Sequence, residues 1–245
     1  MKLHILTVAS VAAFGVAKAD VIEIDPGALT NNAIVDFEDL GLGDNESVNS
    51  DGIFESGTVA FSARFAGQTQ GVDGDFDTLT STANNPLSLE NDVANQNVGI
   101  FDGADANAGN TSILGLGPAG FGTNEGIGEG SIAMLFDFDQ SEFGIDIIGG
   151  NGGAVSIQFF QRDGSLLDEL TVTDLVGATA LAFRTLSGMN LIAGIAITNN
   201  DIGGVAFDNI RSDVLGNDDT VPVPPAAILM AGGLLALRRR RRRAK

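Results

Sequence analysis

From Thr58 to Arg211 apolar residues keep returning at every second position, a period that buries one face of an extended strand and not the stripe of a helix. Val59, Phe61, Ala63 and Phe65 share one face, and Ile132, Met134, Phe136 and Phe138 share another. Strands are read at Phe143 to Ile148 and at Ala154 to Phe159; an Asp163-Gly164 turn then returns the chain through Leu166 to Val172. Ala180 to Arg184, Leu191 to Thr198 and Val205 to Arg211 close the series. Many short strands with turn residues between them, and no 3.6-residue apolar stripe, predict an all-β body: an antiparallel β-sandwich of jelly-roll type. Ala66 to Gly130 is rich in Gly, Asn and Asp and reads as long loops, which are functional or mobile.

The two ends read as addresses. Lys2 supplies a basic start, Ile5 to Val16 an apolar core, and Ala17 and Ala19 a small-x-small cleavage site before Asp20, so residues 1–19 are expected to be a secretory signal peptide. At the other end, Val221, Pro222, Val223, Pro224, Pro225 and Ala226 lead into an apolar run that stops at Leu237 against six arginines, Arg238, Arg239, Arg240, Arg241, Arg242 and Arg243. Val221 to Leu237 is slightly short of the about 20 residues that cross a bilayer, a deficit that snorkelling arginines and local thinning absorb. The expectation is a transmembrane helix with its basic block in the cytoplasm and everything before it on the far side. Residues 216–220 form a polar spacer, leaving 20–215 as one exported domain, long enough for a single well-packed core.

All 32 acidic residues lie between Asp20 and Asp219, where Arg64, Arg162, Arg184 and Arg211 are the only basic ones, a formal charge of −28. Such a body repels itself and is a poor partner for nucleic acid, which needs a basic surface. There is no cysteine, and the single histidine, His4, lies in the segment expected to be removed. A Ser-His-Asp triad, a Cys-His pair and a conventional zinc site are therefore excluded from the mature body. That points to a non-enzymatic protein. Catalysis would fall to paired carboxylates, as in glycoside hydrolysis. With no Trp or Tyr the body also lacks the usual aromatic platforms for sugars, leaving a calcium-bridged or amide-rich loop site as the route to carbohydrate binding.

Calcium is the cofactor candidate, since it takes six to eight oxygen ligands. Asp73, Asp75 and Asp77 offer three carboxylates on alternate residues, although Thr78 and Asn84 stand where an EF-hand needs Gly and Glu. Asp102, Asp105 and Asn107 make a second oxygen-rich loop. A third constellation pairs Asp36 and Glu38 of the first strand with Asp208 of the last. Against each stands the plainer reading of solvated turn residues or, for Asp208, of an acceptor for backbone N–H groups.

The C-terminal order of proline motif, short helix and arginine block resembles the VPLPA variant of the PEP-CTERM sorting signals of Gram-negative bacteria, with Val223 in place of leucine and one proline more. The resemblance implies an exosortase, a membrane protease with a cysteine nucleophile, cutting near Pro224 to Ala226. It also implies delivery to the cell surface or extracellular matrix in a setting of exopolysaccharide and biofilm. Gly128 to Ile132, Phe159 to Ser165 and Gly204 to Ile210 are similar to the exported bodies that carry such tails. The expected function is adhesive or structural; the alternative is a carbohydrate-binding module or a carboxylate-based glycan-active enzyme. The expected partners are the secretion machinery, the exosortase, the membrane through the C-terminal helix, and exopolysaccharide.

Overall fold

The computed structural model describes residues 20–30, 33–103, 110–122 and 126–213. Within them the chain forms β1 (Val21–Ile24), β2 (Ala33–Val35), β3 (Ser47–Ser50), β4 (Phe54–Ser56), β5 (Val59–Ser62) and β6 (Arg64–Phe65). There follow β7 (Thr69–Asp73), β8 (Phe76–Thr80), β9 (Leu89–Glu90), β10 (Val98–Asp102), β11 (Thr111–Gly115) and β12 (Ile132–Gln140). The last six are β13 (Glu142–Asn151), β14 (Val155–Phe160), β15 (Leu166–Val172), β16 (Val176–Thr185), β17 (Ile192–Asn199) and β18 (Ala206–Ser212). Helical structure among the described residues is confined to two short 3-10 turns, Pro26–Ala28 and Glu38–Leu40. The expected signal peptide, the spacer, and the proline, helix and arginine segments lie outside the described residues; no described helix is long and apolar enough to cross a membrane.

Two antiparallel sheets share one core. The larger runs β1-β16-β13-β18-β11-β10-β3 with β2 also paired to β18, and the smaller runs β15-β14-β17-β12-β5-β4. From β11 onward the chain deals its strands between them. β11, β13, β16 and β18 enter the larger sheet, β12, β14, β15 and β17 the smaller, so that β11-β18-β13-β16 in one corresponds to β12-β17-β14-β15 in the other. The inward positions of both sheets meet as rings. Phe136 of β12 meets Phe143 of β13 edge-on at 5.9 Å, and Phe159 of β14 meets Phe183 of β16 at 5.3 Å. These four rings are fully buried. Edge-to-face geometry sets the positive rim of one ring on the negative face of the next.

The alternation is kept where it was read, except at Phe65, which leaves the inner core of Val59 and Phe61 for the outer face of the smaller sheet, and at Phe138, which is 36% exposed. The register of β12 against β17 shifts between Leu135 and Gln140, where five residues of β12 advance against two of β17, and an odd offset turns the following side chains over. The stretch read as loose loops carries β7 to β11. Part of it covers the outer face of the smaller sheet, where Phe65, Leu87 and Phe160 pack on Ala133, Ala193 and Ala196. Gly194 belongs to this shelf. A Cβ there would lie 2.6 Å from Phe65 Cζ and 2.8 Å from the Met134 carbonyl oxygen, so β6 seats only over a glycine.

The chain ends of the body meet at one pole. The carbonyl of Asp20 accepts the Leu186 N–H at 2.9 Å, and that of Ser141 accepts the Thr185 N–H at 2.9 Å. The Asp213 carboxylate accepts the N–H of Ser141 at 3.0 Å. Gly194→Ala is expected to destabilise the fold by about 1–3 kcal/mol through overpacking, read as a lower denaturation midpoint with an unchanged slope; an unchanged midpoint would mean that Phe65 does not need this seat.

Candidate functional site

At the pole opposite those ends, two small sheets stand over the start of β12. The β7–β8 hairpin turns through Gly74, at φ +65°, and Asp75, while β6 pairs with β9 through Arg64↔Glu90 and Phe65↔Leu89. The hairpin is tied to the sandwich by Asp77: its N–H donates to the Glu129 carbonyl at 3.2 Å, and its carboxylate accepts the Ser131 N–H at 3.0 Å. Between the two small sheets lies a cleft of about 450 Å³ lined by Arg64, Gln68, Gln70, Asp77, Asp92 and Gln96, with Val72 and Thr69 at its margin. A second cleft, of about 260 Å³, shares Asp77 and continues past Phe76 and Thr78 to Ser156, Thr198 and Asn200.

The lining groups of the larger cleft hold one another. Arg64 donates from Nη1 to Gln70 Oε1 at 2.8 Å and from Nη2 to Glu90 Oε1 at 2.6 Å. Gln70 passes its own amide hydrogen to Asp92 Oδ2 at 2.6 Å. Gln68, 5% exposed, accepts the Phe65 N–H and donates to Gln158 Oε1, both at 2.9 Å. Burial pushes the Asp77 carboxyl up from its ordinary range, against hydrogen bonds from Gln70 and Ser131, and the nearby Asp92 adds to the rise. The cleft thus offers amides, carboxylates and one guanidinium in fixed orientation.

The carboxylates read as calcium ligands are distributed otherwise. Asp73 and Asp75 are exposed at the hairpin turn, whereas Asp77, two residues on, is 3% exposed and turned toward Ser131. Asp102 is buried and accepts the Asn45 N–H at 3.1 Å, while Asp105 and Asn107 lie outside the described residues. Asp36, Glu38 and Asp208 do come into one neighbourhood, because β2 pairs with β18 through Val35↔Ile210. There Glu38 accepts the Thr111 N–H at 2.9 Å, and Asp208 accepts the Asn209 N–H at 2.6 Å. Among the described residues no group of three or more such side chains is placed to hold a metal ion.

Asp208 is 2% exposed and, among the described residues, has no arginine of its own: Arg64 pairs with Glu90 and Asp92, Arg162 with Asp139, Arg184 with Glu142 and Arg211 with Asp146. Burial drives its pKa up to about 6, opposed by the Asn209 N–H and reinforced by the charges of Asp146, Glu38 and Asp36.

Of the address residues, Asp20 opens the described body; Ala17, Ala19, Val221 to Ala226 and Arg238 to Arg243 lie outside it. The cleft itself was not read from the sequence, because Arg64 and Gln70 stand on different short strands and Asp92 follows Gln70 only 22 residues on. The available signal was Gln68 and Gln70, two amides on alternate residues beside one of the four arginines of an acidic body. Set against family models, curated proteins and solved structures, the chain matches none.

A carboxyl whose pKa rises on folding favours the folded state while protonated, and that contribution is lost as pH climbs through about 6 toward neutrality. Asp208→Asn is therefore expected to stabilise the protein at pH 7.5 by about 2 kcal/mol and to leave it nearly unchanged at pH 4. Paired melting curves check this, and an equal effect at both pH values would show that the charge of Asp208 is not the cause.

Proposed function

We propose that this is an exported, non-enzymatic protein of the cell envelope or extracellular matrix, adhesive or structural within exopolysaccharide or biofilm. In this reading its signal peptide directs secretion, its C-terminal helix holds it in the inner membrane with the arginines inside, and an exosortase-like protease then releases it to the surface. The body is a jelly roll. That finer class is supported by strands dealt between facing sheets in the matching orders β11-β18-β13-β16 and β12-β17-β14-β15.

The observation that carries the proposal is the placement of the ends. Asp213 accepts the Ser141 N–H, and Asp20 and Ser141 accept the neighbouring N–H groups of Leu186 and Thr185, so the described body begins and ends at the same pole, and a membrane holding either address segment leaves the rest of the sandwich standing clear. Mass spectrometry of the protein recovered from cells and medium reads both termini at once. The expected species begins at Asp20 and ends near Pro225; a dissolved full-length product in the cytosol would refute export.

Calcium belongs to the proposal as the counter-ion of a body of charge −28. Millimolar calcium is expected to raise the melting temperature more than sodium chloride of equal ionic strength, and chelator to reverse the gain. No difference between the two salts would remove calcium from the account. The alternative, a glycan-active enzyme, is favoured by one observation: two carboxylates, Asp77, whose pKa burial raises, and Asp92, line the same cleft. Glycan turnover lost in Asp77→Asn would establish it.

A further inference from the structure

The cleft has its own recognition chemistry, and we infer that it binds an uncharged, hydroxyl-rich glycan segment of several sugar units, presented at the pole farthest from the chain ends. The inference deepens the matrix reading and rests on it only for the source of the glycan.

Charge narrows the ligand first. Arg64 is the one cation of the larger cleft, and its guanidinium already faces Glu90, Asp92 and Gln70. Phosphate, sulfate or uronate groups would meet further carboxylates there and, around them, a body of charge −28, so anionic ligands are repelled. An apolar ligand fares no better, since Val72 is the only aliphatic side chain among the lining residues. What fits is a molecule that both donates and accepts hydrogen bonds and carries no charge.

Shape narrows it further. The larger cleft is within the size range of small-molecule sites. It shares Asp77 with the second cleft, so the two clefts are neighbours along β8. Two adjacent polar clefts suit successive units of a sugar chain better than a single ring. The mutual hydrogen bonds of Arg64, Gln70 and Asp92 fix these side chains before any ligand arrives, which lowers the entropic cost of binding. The lack of Tyr and Trp removes the stacking that makes single sugar sites tight, so each site is weak and retention depends on many copies meeting one polymer.

Position completes the argument. Strand β12 runs from Ile132, beside the Asp77 tether, to Gln140, beside Ser141 and the chain ends. Counted along β17, which sets Ile197 opposite Ile132 and Ile192 opposite Gln140, at about 3.3 Å per residue the cleft stands roughly 16 Å from the pole that the address segments leave. A body held by its tail would therefore offer the cleft outward.

The test is a titration of the full-length chain in mild detergent with neutral hexasaccharides (malto-, cello- and laminarihexaose) and with a uronate hexamer, at physiological salt. At least one neutral hexasaccharide should bind with a Kd in the millimolar range or tighter. Gln70→Ala and Asp92→Asn should each weaken it tenfold or more with little change in melting temperature, while Glu55→Gln, on the remote edge strand β4, should bind as the parent does. Should Gln70→Ala fail to fold, Asp92→Asn, which keeps the side-chain shape, carries the test. The inference is overturned if no neutral hexasaccharide binds, if the uronate is preferred, or if both cleft variants bind normally. Terminal processing is read separately by mass, so loss of binding leaves the export proposal standing, and a failure of export leaves the binding result intact.

Discussion

Carboxylates that accept backbone N–H groups hold this molecule together. A body with 32 acids and four arginines has no supply of cations to pair them, so the stabilising positive charge comes from peptide dipoles. The bonds are long-range in sequence. Asp168 takes the N–H of Val21 and ties β1 to β15; Glu142 takes that of Thr30; Glu38 takes that of Thr111; Asp201 takes those of Asn151 and Gly153. Each joins segments that hydrophobic packing alone would leave to slide, and a bond to a charged group contributes more than a neutral one, about 1.5–3 kcal/mol. Glu142 shows the competition plainly: burial raises its pKa, yet the hydrogen bonds from Thr30 and Arg184 hold it below the usual glutamate range.

This use of acids explains what the sequence made legible. Alternation marked the inward positions because water imposes it on any half-buried strand, and Phe136, Phe143, Phe159 and Phe183 lie where their period puts them. Phe138 escaped because a register shift in β12 depends on its partner strand, which no local pattern records. The acids of Asp73 to Asp77 resembled a loop site in one dimension. In three dimensions the hairpin leaves Asp73 and Asp75 exposed at its turn while Asp77 is spent on Ser131. Their spacing was visible, but not the orientation that a strand imposes. The cleft was hidden for the converse reason, since its residues become neighbours only through the pairing of β6 with β9 and of β7 with β8.

The architecture separates duties along its long axis. Ser141 and Leu186 between them hold the two ends of the described body, and the opposite pole gathers the short hairpins, the tether of Asp77 and the two clefts. The second layer over the smaller sheet connects these roles: Phe65 and Leu87 seal the outer face of the smaller sheet while the residues flanking them, Arg64 and Gln68, line the cleft. Packing thus positions the polar groups as a by-product of covering β12 and β17.

An interior whose aromatic rings are all phenylalanine needs no buried partner for a phenol or an indole nitrogen, and with no Trp, Tyr or Cys the chain is also nearly blind in the near ultraviolet. The same chemistry makes it poor fuel for oxidants. No thiol is present to climb the sulfur oxidation ladder, and of the two methionines in the described body Met134 is sealed while Met189 stands at the surface. Weathering by peroxide would therefore begin on a side chain that the rings do not lean on.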